Sequence, residues 1–363
     1  MNPLWLTCQR LSTQLESPVG GFGHYTRERQ GLRLTIGGSD GPPGVGECSP
    51  LPGYSKDTLF SCERALNELP FDDVASPDLA ALKAAVTLSA SELPAARHAL
   101  ETALVDRSSR RMGLSAAKWI VAALGQPLRQ SIPLATVITG GDPEKLVAAA
   151  RGAIGAGYGT LKVKLGPAEE WPRDQARLRA LRQSIGSAIN LRLDLNRAWS
   201  LSHAHLLGEL VEFEPEFVEE PFEAGALEQL ESTPVPLALD EGLLQRYALD
   251  HFAPHLARLN VKTVVLKPMA LGGLSRCINI AARARLIGLN VVISHLFDGP
   301  IALSVAGALA LAIGTPELAQ GLAPHPALLL DPMHGVRHMR NGRLWSSDEP
   351  GLALDRDEAP CSA

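Results

Sequence analysis

The sequence is short of several features that define large protein classes. Its 363 residues hold five cysteines, Cys8, Cys48, Cys62, Cys277 and Cys361. They are odd in number, far apart and never in a C-x-x-C pair, which argues against a disulfide framework or a cysteine zinc site and points to a reducing, cytoplasmic setting. There is no basic excess: 34 scattered Lys and Arg face 39 Asp and Glu, for a net charge of -5. No nucleic acid is therefore expected as a partner. The most apolar run, "IALSVAGALALAIG" at 301–314, covers 14 residues. A membrane-spanning helix needs roughly 20, so this run is expected to be a buried helix, with no membrane partner. The N-terminal "MNPLWLTCQRLSTQL" lacks a basic stretch followed by an apolar core, so it does not have the form of a signal peptide. No G-x-G-x-x-G follows the first strand of the repeating part, which disfavours dinucleotide binding. No G-x-S-x-G elbow is present either, so Ser294, His295 and Asp298 are not expected to form a hydrolase triad.

What is present divides into two parts. The first 125 or so residues mix an antiparallel strand at 27–37, a turn-rich loop "GECSPLPGYS" at 46–55 and an amphipathic helix at 92–113, the strands-then-helices order of an α+β domain. From Ser131 short apolar strands recur: 131–138, 160–165, 190–196, 217–221, 236–241, 263–268 and 290–295. Their starts are 29, 30, 27, 19, 27 and 27 residues apart, the length of a strand, a helix and two short loops. Seven such units imply an α/β fold built on a closed TIM-type barrel. The expected organisation is a barrel over 126–334 and an α+β region over 1–125, completed by 335–363.

Charged residues fall at one end of these strands. Lys164, Asp194, Glu219, Asp240 and Lys267 each sit at or beside a strand's C-terminal end, 30, 25, 21 and 27 residues apart. In a parallel barrel all those ends open on one rim, so the five residues should converge. A single strand-end Asp serves as readily as a helix cap, and a single Lys as a solvated rim charge; five in succession are better explained by one site. Three carboxylates without Cys or His partners suit a hard cation, Mg²⁺ or Mn²⁺, so Asp194, Glu219 and Asp240 are the expected metal ligands. Lys162 lies two residues before Lys164 and shares its face. Two neighbouring ammonium groups beside a cation should depress one lysine's pKa and make it a general base. With Lys267 facing from the opposite side, the cationic surplus calls for a small anionic carboxylate substrate. By the same parity Arg192 should face the pocket and Asn196 should support the metal. Arg192, Ser294 and His295 are the expected substrate contacts, Ser294 through its hydroxyl.

These residues resemble the enolase superfamily in its muconate-lactonizing branch. The chain carries "KVK" at 162–164, "DLN" at 194–196, "EEP" at 219–221, "DE" at 240–241 and "KPMALGG" at 267–273, in the family's order and across the whole barrel. The resemblance implies a (β/α)7β barrel with an N-terminal α+β capping domain. Within the branch, "GECSPLPGYS", "RLDLNRAWS" and "RNGRLWSSDEPGLALD" are most similar to the o-succinylbenzoate synthase family. That likeness implies a lyase that dehydrates 2-succinyl-6-hydroxy-2,4-cyclohexadiene-1-carboxylate through an enediolate, in menaquinone or phylloquinone biosynthesis. Lys164 would then remove the proton, Lys267 stabilise the enediolate and Lys162 tune Lys164. N-acylamino acid racemases and dipeptide epimerases are similar in the same residues, although "QGLAPHP" at 320–326 lacks the D-x-D expected of an Ala-Glu epimerase. A non-catalytic relative is disfavoured, because buried unpaired lysines bring a scaffold nothing.

Overall fold

The computed structural model describes residues 5–21, 24–69, 93–223, 225–244, 249, 254–325, 327–328 and 338–354. The expected helix start at Glu92 and Cys361 lie outside these residues.

The N-terminal strands β1 (Trp5–Gly21), β2 (His24–Gly38) and β3 (Gly41–Cys48) form an antiparallel sheet in the order β1-β2-β3. Alternation along β2 sends Leu32, Leu34 and Ile36 to one face, each with no exposed surface. Helices α1 (Leu59–Asn67), α2 (Pro94–Arg111) and α3 (Ala116–Leu124) follow. The backbones of α2 and β3 touch through glycine: a Cβ on Gly46 would stand 1.9 Å from the Ala99 carbonyl oxygen. Asp106 of α2, fully buried, accepts the Val45 and Leu352 N–H groups, each at 2.9 Å. It thereby ties β3 and the C-terminal segment to the same helix.

His98 of α2 is also fully buried, and burial drives its pKa down to about 3. It is neutral when folded, whereas the unfolded chain takes up a proton below the ordinary value near 6.5. Stability is therefore full above that value and falls with pH below it, by up to about 1.4 kcal/mol per unit from this group. Urea unfolding at pH 7 and pH 5 is expected to show a smaller pH-dependent loss in His98→Leu than in the parent; equal losses would refute this role.

Strands β4 (Ser131–Pro133) and β5 (Ala135–Ile138) occupy the expected first barrel strand, divided at Leu134. Only β5 enters the barrel. β4 pairs with a C-terminal hairpin, β12 (Met339–Arg340) and β13 (Arg343–Trp345), which explains why one apolar run makes two strands. The parallel sheet continues through β6 (Thr160–Lys164), β7 (Asn190–Asp194), β8 (Phe217–Glu219), β9 (Leu237–Leu239), β10 (Val261–Leu266) and β11 (Asn290–Ile293). Parallel bridges Leu134 to Gln320 and Ser294 to Gly321 close the ring with an eighth segment. The helices α4 (Pro143–Gly155), α5 (Trp171–Ile185), α6 (Leu274–Leu286) and α7 (Pro300–Ile313) lie between strands. This is the expected (β/α)7β barrel beside an α+β domain. The apolar run falls on α7, buried along nearly its whole length, and among the described residues no helix is long and apolar enough to cross a membrane.

Candidate active site

Register places the site. Lys164 of β6 pairs with Asp194 of β7, and Asp194 pairs with Glu219 of β8. Glu219 faces Ala238, so Asp240 lies two residues further on, just past the end of β9. Asp194, Glu219 and Asp240 are each 2% exposed and Lys267 is 7% exposed. One cavity of about 100 Å³ is lined by Lys162, Lys164, Asp194, Glu219 and Lys267 together.

Lys162 and Lys164 line the same cavity, as their parity predicts. The Lys162 ammonium donates to Glu219 Oε1 at 2.7 Å and lies 2.9 Å from Asp194 Oδ2. Burial would lower its pKa, but these two carboxylates outweigh burial and push it up. Cross-strand register thus supplies Lys162 with two anions. Lys267 is likewise pushed up: burial opposes its charge, and Asp240, its hydrogen-bond partner, and Glu241 prevail. Lys164 Nζ donates to Asn196 Oδ1 at 2.9 Å, and Asn196 Nδ2 donates to Glu241 Oε1 at 3.2 Å.

The carboxylates feel opposing forces. Burial raises all of them, yet Lys162, Lys164 and Lys267 bring Asp194 down to about 2. Burial, with Asp194 and Asp240 nearby, leaves Glu219 raised to about 7. Among the described residues no three Asp, Glu, His or Cys side chains stand close enough to hold one ion. Each proposed ligand has taken an ammonium instead, and Lys162 between Asp194 and Glu219 supplies a positive charge where a divalent ion would. Glu241 Oε2 is buried without a hydrogen-bond partner. The donors themselves, buried carboxylate oxygens without Cys or His, are of the chemistry that suits a hard divalent cation.

The other expected residues take varied positions. Arg192 does face the barrel interior, but its Nε donates to Glu216 Oε2 at 2.5 Å and its guanidinium stacks 4.6 Å from the Phe217 ring centroid. It forms part of the cavity wall with its charge already matched. Ser294 lines the cavity and donates to the Gly321 carbonyl at 3.1 Å. His295 Nδ1 accepts the Asp298 N–H at 3.3 Å, so Nε2 carries the proton and donates to the Ala323 carbonyl at 3.2 Å. Burial lowers its pKa to about 4. His295 therefore joins the loop after β11 to the eighth segment with both nitrogens engaged. Asp298 is buried beside Arg29 and Glu47, in no triad-like relation to Ser294.

Three residues escaped the sequence reasoning. Glu220, the second acid of "EEP", accepts the Asp240 N–H at 2.8 Å and pairs with Arg197 at 3.1 Å, bracing the strand end that carries Asp240. Glu241 was legible only as the neighbour of Asp240. Tyr54, in the loop at 46–55, reaches across from the N-terminal domain and donates to Asp240 Oδ1 at 3.0 Å. An aromatic inside a Gly- and Pro-rich turn was the one available signal for it.

Residues 145–359 match the family model described as "Enolase C-terminal domain-like". The chain belongs to the enolase superfamily. Its relatives in that superfamily differ in activity. It is 31% identical over 336 residues to an L-Lys-D/L-Arg epimerase of Methylococcus capsulatus, covering 90% of this chain and 91% of that protein. It is 32% identical over 263 residues to an o-succinylbenzoate synthase of Thermobifida fusca, covering 68% and 79%. A crystal structure of a dipeptide epimerase from Methylococcus capsulatus, complexed with Mg and L-Arg-D-Lys, superposes with a TM-score of 0.80 at 25% identity, over 98% of this chain and 99% of that one. The chain is thus of an enzyme family that includes both lyases and epimerases.

Proposed function

We propose that the protein is an o-succinylbenzoate synthase: a Mg²⁺-dependent lyase that dehydrates 2-succinyl-6-hydroxy-2,4-cyclohexadiene-1-carboxylate to 2-succinylbenzoate, in menaquinone or phylloquinone biosynthesis. Asp194, Glu219 and Asp240 would hold Mg²⁺, which when bound polarises the substrate carboxylate and acidifies the adjoining C–H. Lys164 takes that proton. The departing hydroxyl receives it back as water leaves, so the step is proton-neutral. Lys267, facing from the other side, stabilises the negative charge that develops on the carboxylate oxygens. Lys162 pairs with both Asp194 and Glu219 and offsets their charge.

The observation that carries the dehydratase reading is the lining of the eighth segment, the wall that closes the ring between β5 and β11. The eighth segment presents Gly321, Ala323 and His325 to the cavity, and among the described residues the only lining carboxylates are Asp194, Glu219 and Glu241, beside the lysines. A dipeptide's ammonium group would find no carboxylate on that wall, and its desolvation would go uncompensated. A larger side chain at Gly321 is also disfavoured, since a Cβ there would approach Ser294 Oγ to 2.7 Å.

A racemase or epimerase on the same site is the second reading, favoured by the 31% identity to the Methylococcus capsulatus epimerase over nearly the whole chain. An assay separates the two. Purified protein with Mg²⁺ is expected to convert the cyclohexadiene to the benzoate, followed by ultraviolet absorbance. Absence of that turnover, with α-hydrogen exchange in a dipeptide or N-succinylamino acid in D₂O, would replace the first reading by the second.

A further inference from the structure

The two lysines that flank the proposed reacting carbon are held by different parts of the fold. Lys164 is set by the barrel alone: it donates to Asn196, which donates to Glu241. Lys267 is set partly from outside the barrel. Its Nζ pairs with Asp240 Oδ2 and donates to the Tyr54 hydroxyl at 3.3 Å, and it lies 4.7 Å from the Tyr54 ring centroid. The same hydroxyl donates to the other oxygen of Asp240 at 3.0 Å. Tyr54, Lys267 and Asp240 therefore close a three-membered ring of contacts, with the aromatic face covering the ammonium.

The turn that delivers Tyr54 is itself braced. Tyr54 and Ser55 donate backbone N–H groups to the Leu51 carbonyl at 3.1 and 2.8 Å, and the Leu51 N–H donates to Ser55 Oγ at 2.9 Å. Gly53 provides the left-handed residue at φ 82°. Lys56 Nζ donates to the Leu244 carbonyl at 2.9 Å, anchoring the turn to the barrel rim. Arg29 donates to the Ser49 and Pro50 carbonyls at 2.6 and 3.1 Å, and also to the Phe297 carbonyl at 3.1 Å, so one guanidinium joins the turn to the opposite wall.

A lysine on a four-carbon stem has many rotamers, and a single carboxylate partner does not select one. We propose that Tyr54 is the positioning residue of Lys267, so that the N-terminal domain controls one of the two opposed lysines while the barrel alone controls the other. This rests on the reading that Lys164 and Lys267 face the substrate from opposite sides. Without the hydroxyl, Lys267 loses one of its hydrogen-bond acceptors, and other rotamers of its long stem, which carry the ammonium off the substrate face, become accessible. The chemical step then suffers, and substrate capture does not.

Tyr54→Phe, Lys267→Met and the double variant test the contact without any reaction. In thermal unfolding of the metal-free, substrate-free protein, the two single shifts in Tm are expected to be non-additive in the double variant; additive shifts overturn the proposal. In turnover, Tyr54→Phe is expected to lower kcat about tenfold with KM within about twofold. Tyr54→Leu, which also removes the ring, should lower it further. An unchanged kcat in Tyr54→Phe overturns the proposal. If the protein exchanges the α-hydrogen of N-succinylamino acids in D₂O, Tyr54→Phe should slow exchange of one enantiomer and spare the other, whereas equal slowing of both marks a general disturbance and counts against it. Should the parent protein turn over neither substrate, the functional reading fails, and the unfolding cycle still decides the Tyr54–Lys267 contact.

Discussion

Lys164→Ala is expected to lower turnover by about 10²- to 10⁴-fold, the usual contribution of a positioned general base. The side chain is exposed at the cavity mouth and among the described residues its one hydrogen bond is to Asn196, so the variant should fold as the parent does. Tm within about 2 °C of the parent, with turnover lost, is the signature of a residue used for chemistry, because a surface substitution changes stability by no more than about 0.5 kcal/mol. Lys145→Ala serves as the control, since Lys145 is exposed on α4 and pairs only with Asp142. Full activity in Lys164→Ala would remove the base from the proposed mechanism and with it the division of roles between the lysines.

Chelation of divalent metal is expected to abolish turnover, and added Mg²⁺ to restore it. The ligand set is tested by Asp194→Ala and Glu219→Ala, with Mg²⁺ affinity measured by titration calorimetry. Loss of groups that merely support a metal ligand weakens binding about 10- to 100-fold, so loss of a direct carboxylate should weaken it by about 100-fold or more. Glu220→Gln provides the graded comparison, because Glu220 braces the Asp240 backbone without facing the cavity as a lining residue. Unchanged affinity in both alanine variants would show that the cation, if one is used, sits elsewhere.

Much of the site was legible because a parallel barrel converts sequence position into spatial position by a simple rule. A strand-end residue reaches the rim whatever lies between strands, so Asp194, Glu219 and Lys267 could be grouped without knowing a single helix. Parity did the same for Lys162 and Arg192. Parity did not reveal where each side chain finds its partner. Arg192 turns to Glu216 and Phe217 inside the barrel, and Lys162 turns to two carboxylates on the next two strands. Both outcomes depend on strand stagger, which fixes the neighbours of a residue to within one pleat. His295 shows the same limit: its place on the rim was foreseen, yet its nitrogens are taken by Asp298 and Ala323.

The sequence by itself determined the barrel, the rim on which chemistry collects and the identity of the charges there. Spacing and alternation are local properties, and a regular fold repeats them faithfully. Only the tertiary structure decided which ammonium meets which carboxylate, and that Tyr54 joins Asp240 and Lys267 from 186 and 213 residues away. Contacts of that kind arise where two domains close on each other, and their geometry follows from the packing of both surfaces, which no periodicity in either one encodes.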